Sequence, residues 1–146
     1  MINPYIVLLV LSCTVFSSAR SGEPPKTFQA EDVFELEYAN DPRISPDGKY
    51  IVYERRSSDI MTDSMRSNIW IIKSDGTQNR PLVSGNPHAA TPRWSPNADR
   101  LVYIQTAKDG TEIIVRWMDT GQTARIVKLS IRPSSITWSP DGYWLA

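Results

Sequence analysis

Very few side chains in this sequence are placed to do bond-making chemistry. A general base needs a nucleophile within hydrogen-bond reach and an orienting carboxylate, and His88, the sole histidine, stands in Gly85-Asn86-Pro87-His88 with neither at a recognisable spacing. It reads as a surface-loop histidine. The acidic group Glu31, Asp32, Glu35 and Glu37 has the residue types of a cation site or an acid/base pair. It has no accompanying histidine or downstream ligand set, so a solvated face is the simpler reading. No metal and no cofactor is expected. Arg55, Arg56 and Arg66 fall in a polar stretch, residues 54–67, that also carries Asp59 and Asp63. Long loops on rigid scaffolds often carry function, so these three arginines are candidates for meeting substrate carboxylates, against the alternative of a solvated excursion.

The elements that hold these residues are announced by a repeat. Arg43-Ile44-Ser45-Pro46-Asp47-Gly48 is answered by Arg93-Trp94-Ser95-Pro96-Asn97-Ala98 and again by Thr137-Trp138-Ser139-Pro140-Asp141-Gly142, with the serines 50 and then 44 positions apart. Proline presets φ, aspartate or asparagine bonds its own backbone, and glycine accepts a positive φ, so each copy is a turn between strands. Ala98 replaces glycine in the second copy. A left-handed residue there is strained by about 1 kcal/mol, or the turn is distorted.

Between the turns, Asn68-Ile69-Trp70-Ile71-Ile72-Lys73 and Glu112-Ile113-Ile114-Val115-Arg116-Trp117 each lead through a glycine turn to a further short strand. The period is that of a four-stranded propeller blade. The fold class is therefore all-β, a partial β-propeller with blades over about residues 41–84 and 91–129 and a third beginning near 134. Trp94 and Trp138 take equivalent places, as do Ile51/Val52 and Leu101/Val102, which points to packing between blades. About two and a half blades cannot close a ring, so an open flank and a marginal, aggregation-prone isolated piece are expected.

The ends of the chain differ in kind from the repeat. Residues 6–16 are almost unbroken apolar sequence, too short to span a bilayer and followed by Ser17, Ser18 and Ala19 before the first basic residue, Arg20. Residues 1–19 read as a secretory signal peptide, which places the mature chain in the periplasm or outside the cell without stable membrane insertion; an uncleaved N-terminal anchor is the alternative. Cys13, the single cysteine, falls within it. Residues 20–40 read as a linker and a short amphipathic helix over 29–40, with Val33, Phe34 and Tyr38 apolar. The 16 basic and 16 acidic residues cancel, which removes the electrostatic footprint of a nucleic-acid binder.

The Arg-x-Ser-Pro-Asp-Gly pattern with two apolar residues and a tyrosine behind it resembles the TolB-like propeller repeat. With the acidic segment upstream and Ala39-Asn40-Asp41-Pro42-Arg43, it resembles the N-terminal propeller of the prolyl oligopeptidase family of serine peptidases, in its acylaminoacyl-peptidase-like and dipeptidyl-peptidase-like branches. The resemblance implies a propeller over a C-terminal α/β-hydrolase domain, admitting peptide substrates to a Ser-Asp-His triad. Arg55, Arg56 and Arg66 are then candidates for contact with substrate or with that domain. None of the seven glycines here flanks a serine as Gly-x-Ser-x-Gly, so no catalytic residue carries over. A stand-alone TolB-like propeller that binds a protein partner is the alternative.

Overall fold

The computed structural model describes residues 27–146 apart from 60, 86 and 87. The signal-peptide reading of residues 1–19 lies outside the described residues.

Two antiparallel sheets of four strands each follow one another, the strands of each in chain order. The first holds β1 (Glu37–Ile44), β2 (Tyr50–Asp59), β3 (Ser64–Lys73) and β4 (Arg80–Val83); the second holds β5 (Ala89–Trp94), β6 (Arg100–Ala107), β7 (Gly110–Trp117) and β8 (Thr123–Leu129). The third copy of the repeat starts another such unit, with a bridge between Trp138 and Leu145. The all-β reading of the repeat holds.

The repeated turn is built around its serine. In the first copy the Gly48 N–H reaches the Ser45 carbonyl at 2.8 Å and the Ser45 N–H reaches the Tyr50 carbonyl at 2.8 Å. The hydroxyl then closes the turn, accepting the Tyr50 N–H at 2.9 Å and donating to Asp47 at 2.6 Å. Ser95 and Ser139 repeat these contacts with Arg100 and Trp144. Ala98 adopts the same left-handed backbone as its glycine counterparts, φ 60° against 71° at Gly48 and 73° at Gly142. The outcome is strain without distortion. The carboxylate has moved instead, since the Ser95 hydroxyl donates to Asp99 at 2.6 Å where the other two serines use the residue after proline.

Burial shows how the sheets stack. Val52, Ile69, Ile71 and Leu82 of the first sheet form one cluster with Ala89, Leu101, Tyr103 and Ile114 of the second. Val102, Ile104 and Val115, on the opposite face of the second sheet, cluster with Ile136 of the third copy. Successive side chains of a strand point to opposite faces. In β6 the run Leu101, Val102, Tyr103, Ile104 is buried throughout, as a sheet covered on both sides requires. β5 approaches β1, β2 and β3 of the first sheet, whereas β4 and β8 show no comparable approach, so the first strand of the second sheet lies across the face of the first.

Two local readings are corrected. The predicted helix over 29–40 is one short 3-10 helix, Ala30–Glu35, after which Leu36 is extended and the chain enters β1. Tyr38 and Asn40 pair with Arg56 and Glu54 of β2, and those ladder bonds outweigh a helix too short to sustain itself. Residues 54–67 are likewise no loop excursion. β2 and β3 stay in register from Tyr50↔Lys73 out to Asp59↔Ser64, leaving only a tight connection at the tip.

Candidate functional site

Because 54–67 is a hairpin, its charged side chains divide between two faces. Glu54 and Arg56 face the second sheet, while Arg55 lies on the other side, its guanidinium 4.2 Å from the Trp70 ring centre and paired with Glu37.

Glu54 is only 2% exposed, and a buried carboxylate must be fully paired to be tolerated. One oxygen accepts from Asn40 at 2.9 Å and from Arg56 Nε and Nη2 at 2.9 and 2.7 Å. The other accepts the Thr91 N–H, on β5, at 2.7 Å. That amide sits in a bulge where Thr91 has φ 57°; the same bulge in β1 gives Asp41 φ 48°. A proline follows each. Asp41 in turn holds Arg43 and Arg93, each at 2.6 Å. β5 is thus tied to β1 by an ion pair and to β2 by a backbone amide, and the Glu54 hydrogen bond holds the Arg56 guanidinium further above its ordinary pKa despite partial burial.

Beyond Glu54 the sheets part into a cleft of about 300 Å³ lined by Arg56, Arg66, Ser67, His88, Thr106 and Arg132, with Met65 and Ala90 as apolar wall. It continues past Arg66 and His88 into a second lobe of about 270 Å³ beside Asn68 and Gly85. His88 lies in the connection between the two sheets, as expected, and is half-buried there. Its Nδ1 accepts the Ser67 N–H at 3.3 Å and its carbonyl accepts the Thr106 N–H at 2.8 Å, pinning the connection between the sheets. Arg66 pairs with Asp59, whose carboxyl is held below the ordinary carboxylate range by the Thr62 hydroxyl, then the Met61 N–H, then Arg66. Arg132 donates to the Thr91 hydroxyl at 3.2 Å.

The structure therefore brings Arg56 and Arg66 together and leaves Arg55 apart. The sequence reading missed Glu54, His88 and Arg132. One signal for Glu54 was present: the corresponding place in the second copy holds Ile104, so a charge replaces an apolar core residue. The described residues give the cleft cations, hydrogen-bond donors and an apolar wall. The Ser67 hydroxyl is spent on the Ala89 carbonyl at 2.8 Å, so it is not set as a nucleophile against His88. The described residues include no group of three or more side chains that could hold a metal ion.

No protein-family model matches the chain. An uncharacterized peptidase of Bacillus subtilis, YuxL, is 28% identical over 118 residues, 80% of this chain and 18% of that protein. Dipeptidyl-peptidase 5 of Porphyromonas endodontalis is 22% identical over 99 residues, 68% of this chain and 14% of that protein. The chain thus spans less than a fifth of either relative. Among solved structures, the acylaminoacyl peptidase of Pyrococcus horikoshii superposes with a TM-score of 0.65 at 18% identity, over 77% of this chain and 17% of that one. The β-propeller domain of the Trilobed protease from Pyrococcus furiosus gives 0.63 at 20% identity, over 76% and 33%. A putative TolB from Agrobacterium tumefaciens gives 0.54 at 24%, over 71% and 39%.

Stacked four-stranded sheets and these likenesses define a run of β-propeller blades. The curated relatives that match most of its length are peptidases, and its structural neighbours are acylaminoacyl-peptidase and TolB-like propellers.

Proposed function

We propose that this chain is the N-terminal propeller portion of an exported serine peptidase of the prolyl oligopeptidase type, and that it gates the passage of peptides to a C-terminal α/β-hydrolase domain. The observation that supports this best is the joint one: blades stacked through Trp94 and Trp138, in a sequence similar to peptidases over most of its length. In the whole protein a serine nucleophile, a histidine base and backbone amides at the oxyanion carry out acyl transfer. The blades select by size and charge at the entrance. Export rests on the apolar run and small residues of positions 6–19.

The test is to express the complete coding sequence, treat it with a serine-directed fluorophosphonate and assay peptide hydrolysis. Labelling at a Gly-x-Ser-x-Gly serine, with hydrolysis lost in its alanine variant, is the expected result. An unlabelled, inert protein without that motif contradicts it and favours the second reading, a TolB-like interaction propeller. That reading is supported by 33% identity over 58 residues to the Tol-Pal system protein TolB of Anaplasma marginale, 40% of this chain and 13% of that protein.

A further inference from the structure

We infer that the cleft between the first two blades is a carboxylate-binding subsite for peptides, with Arg132 as its ligand-facing cation. The inference rests on the peptidase reading for its substrate class and adds a location and a chemistry to it.

Three arginines and a histidine converge there from four separate stretches of chain: Arg56 from β2, Arg66 from β3, His88 from the connection into β5, and Arg132 from the segment after β8. No carboxylate is among the described residues lining either lobe. Arg56 is paired with Glu54 and Arg66 with Asp59, so these pairs hold their guanidinium groups in place and add no net charge. Arg132 is different. Among the described residues it makes no ion pair, and its one hydrogen bond is to a neutral hydroxyl, Thr91 Oγ1. A guanidinium has five N–H donors in a planar fork that matches a carboxylate, and this one stands at a cleft large enough for the end of a peptide.

The apolar wall separates a peptide from an inorganic anion. Met65 and Ala90 lie beside the cations, and a ligand that carries both a carboxylate and a hydrocarbon side chain satisfies both parts of the lining. Either a C-terminal carboxylate or an acidic side chain supplies that chemistry.

The experiment is calorimetric titration of the full chain at low salt with three N-acetylated tetrapeptides: an alanine-leucine peptide with a free C-terminus, the same peptide amidated, and an amidated peptide containing one glutamate. The free acid is expected to bind about tenfold or more tightly than its amide, the scale of one charge-assisted hydrogen bond. Arg132→Gln, at an exposed position, is expected to remove that difference while leaving the thermal transition in place. Tight binding of the glutamate amide extends the subsite to side-chain carboxylates; its weak binding confines the subsite to chain ends. Equal affinity for acid and amide, a discrimination that survives in Arg132→Gln, or no binding of any peptide overturns the inference. Each of these results leaves the peptidase reading untouched if the complete protein still labels with the fluorophosphonate and hydrolyses peptides.

Discussion

The Trp94 indole N–H donates to the carbonyl of Arg43 at 3.0 Å, across the gap between the two sheets. Trp138 repeats the relationship one unit later, donating to the carbonyl of Arg93 at 3.1 Å. Arg43 and Arg93 hold the same register position in their strands, paired with Val52 and Val102. A hydrogen bond that recurs with the period of the sequence is what locks one blade to the next at a fixed distance and angle. Replacing the indole by a ring without the N–H tests it with little loss of packing. Trp94→Phe is expected to lower unfolding stability by about 1–2 kcal/mol, of which the unpaired Arg43 carbonyl is a part, measured by urea denaturation. An unchanged midpoint contradicts the assignment.

The buried serine of the repeated turn makes a second prediction. Ser95 is fully buried and accepts the Arg100 N–H at 2.9 Å while donating to Asp99. Ser95→Ala leaves that amide without its hydroxyl partner and should destabilise by about 1–3 kcal/mol, whereas Ser→Ala at exposed Ser84 should change little.

Acid sensitivity follows from the same turns. The serine hydroxyl, as the largest cause, holds Asp47, Asp99 and Asp141 below the ordinary carboxylate value. A carboxyl whose folded pKa is depressed contributes stability that is complete above its unfolded pKa, about 3.9 for aspartate, and is lost as pH falls through the lower folded value. Stability should therefore fall as pH drops below about 4–5. Ser95→Ala should flatten this acid limb by the share of Asp99. Melting curves between pH 7 and pH 3 check both; parallel curves for parent and variant argue against the serine as cause.

Ala98 carries removable strain. With φ at 60° it occupies a backbone region that favours glycine, and Ala98→Gly should stabilise the chain by about 0.5–1 kcal/mol. Gly48→Ala, whose added Cβ meets nothing within 4 Å, should destabilise by a similar amount through backbone alone. Opposite signs at equivalent positions are the diagnostic result.

Much of this was legible because turns and cores are local and periodic. The Ser-Pro-Asp-Gly copies gave the blade spacing, and Trp94 with Trp138 gave the packing between blades. The reading failed where polar side chains occupy paired strands. Residues 54–67 look like a loop, because Arg55, Arg56, Ser57 and Ser58 lack apolar alternation, yet the backbone ladder and neighbouring charges pair them. The cleft was hidden for a different reason. His88 and Arg132 are 44 residues apart and line one cleft only because the second sheet stacks on the first, a relation that no local spacing encodes.

The stacking of successive blades through their tryptophans is most directly tested by nuclear Overhauser contacts in the isotope-labelled full chain. Cross-peaks from the Trp94 indole N–H to the α-proton of Arg43, and from the Trp138 indole N–H to that of Arg93, are expected together. Indole protons that show neither contact and exchange with water as freely as those of a short peptide contradict the blade arrangement.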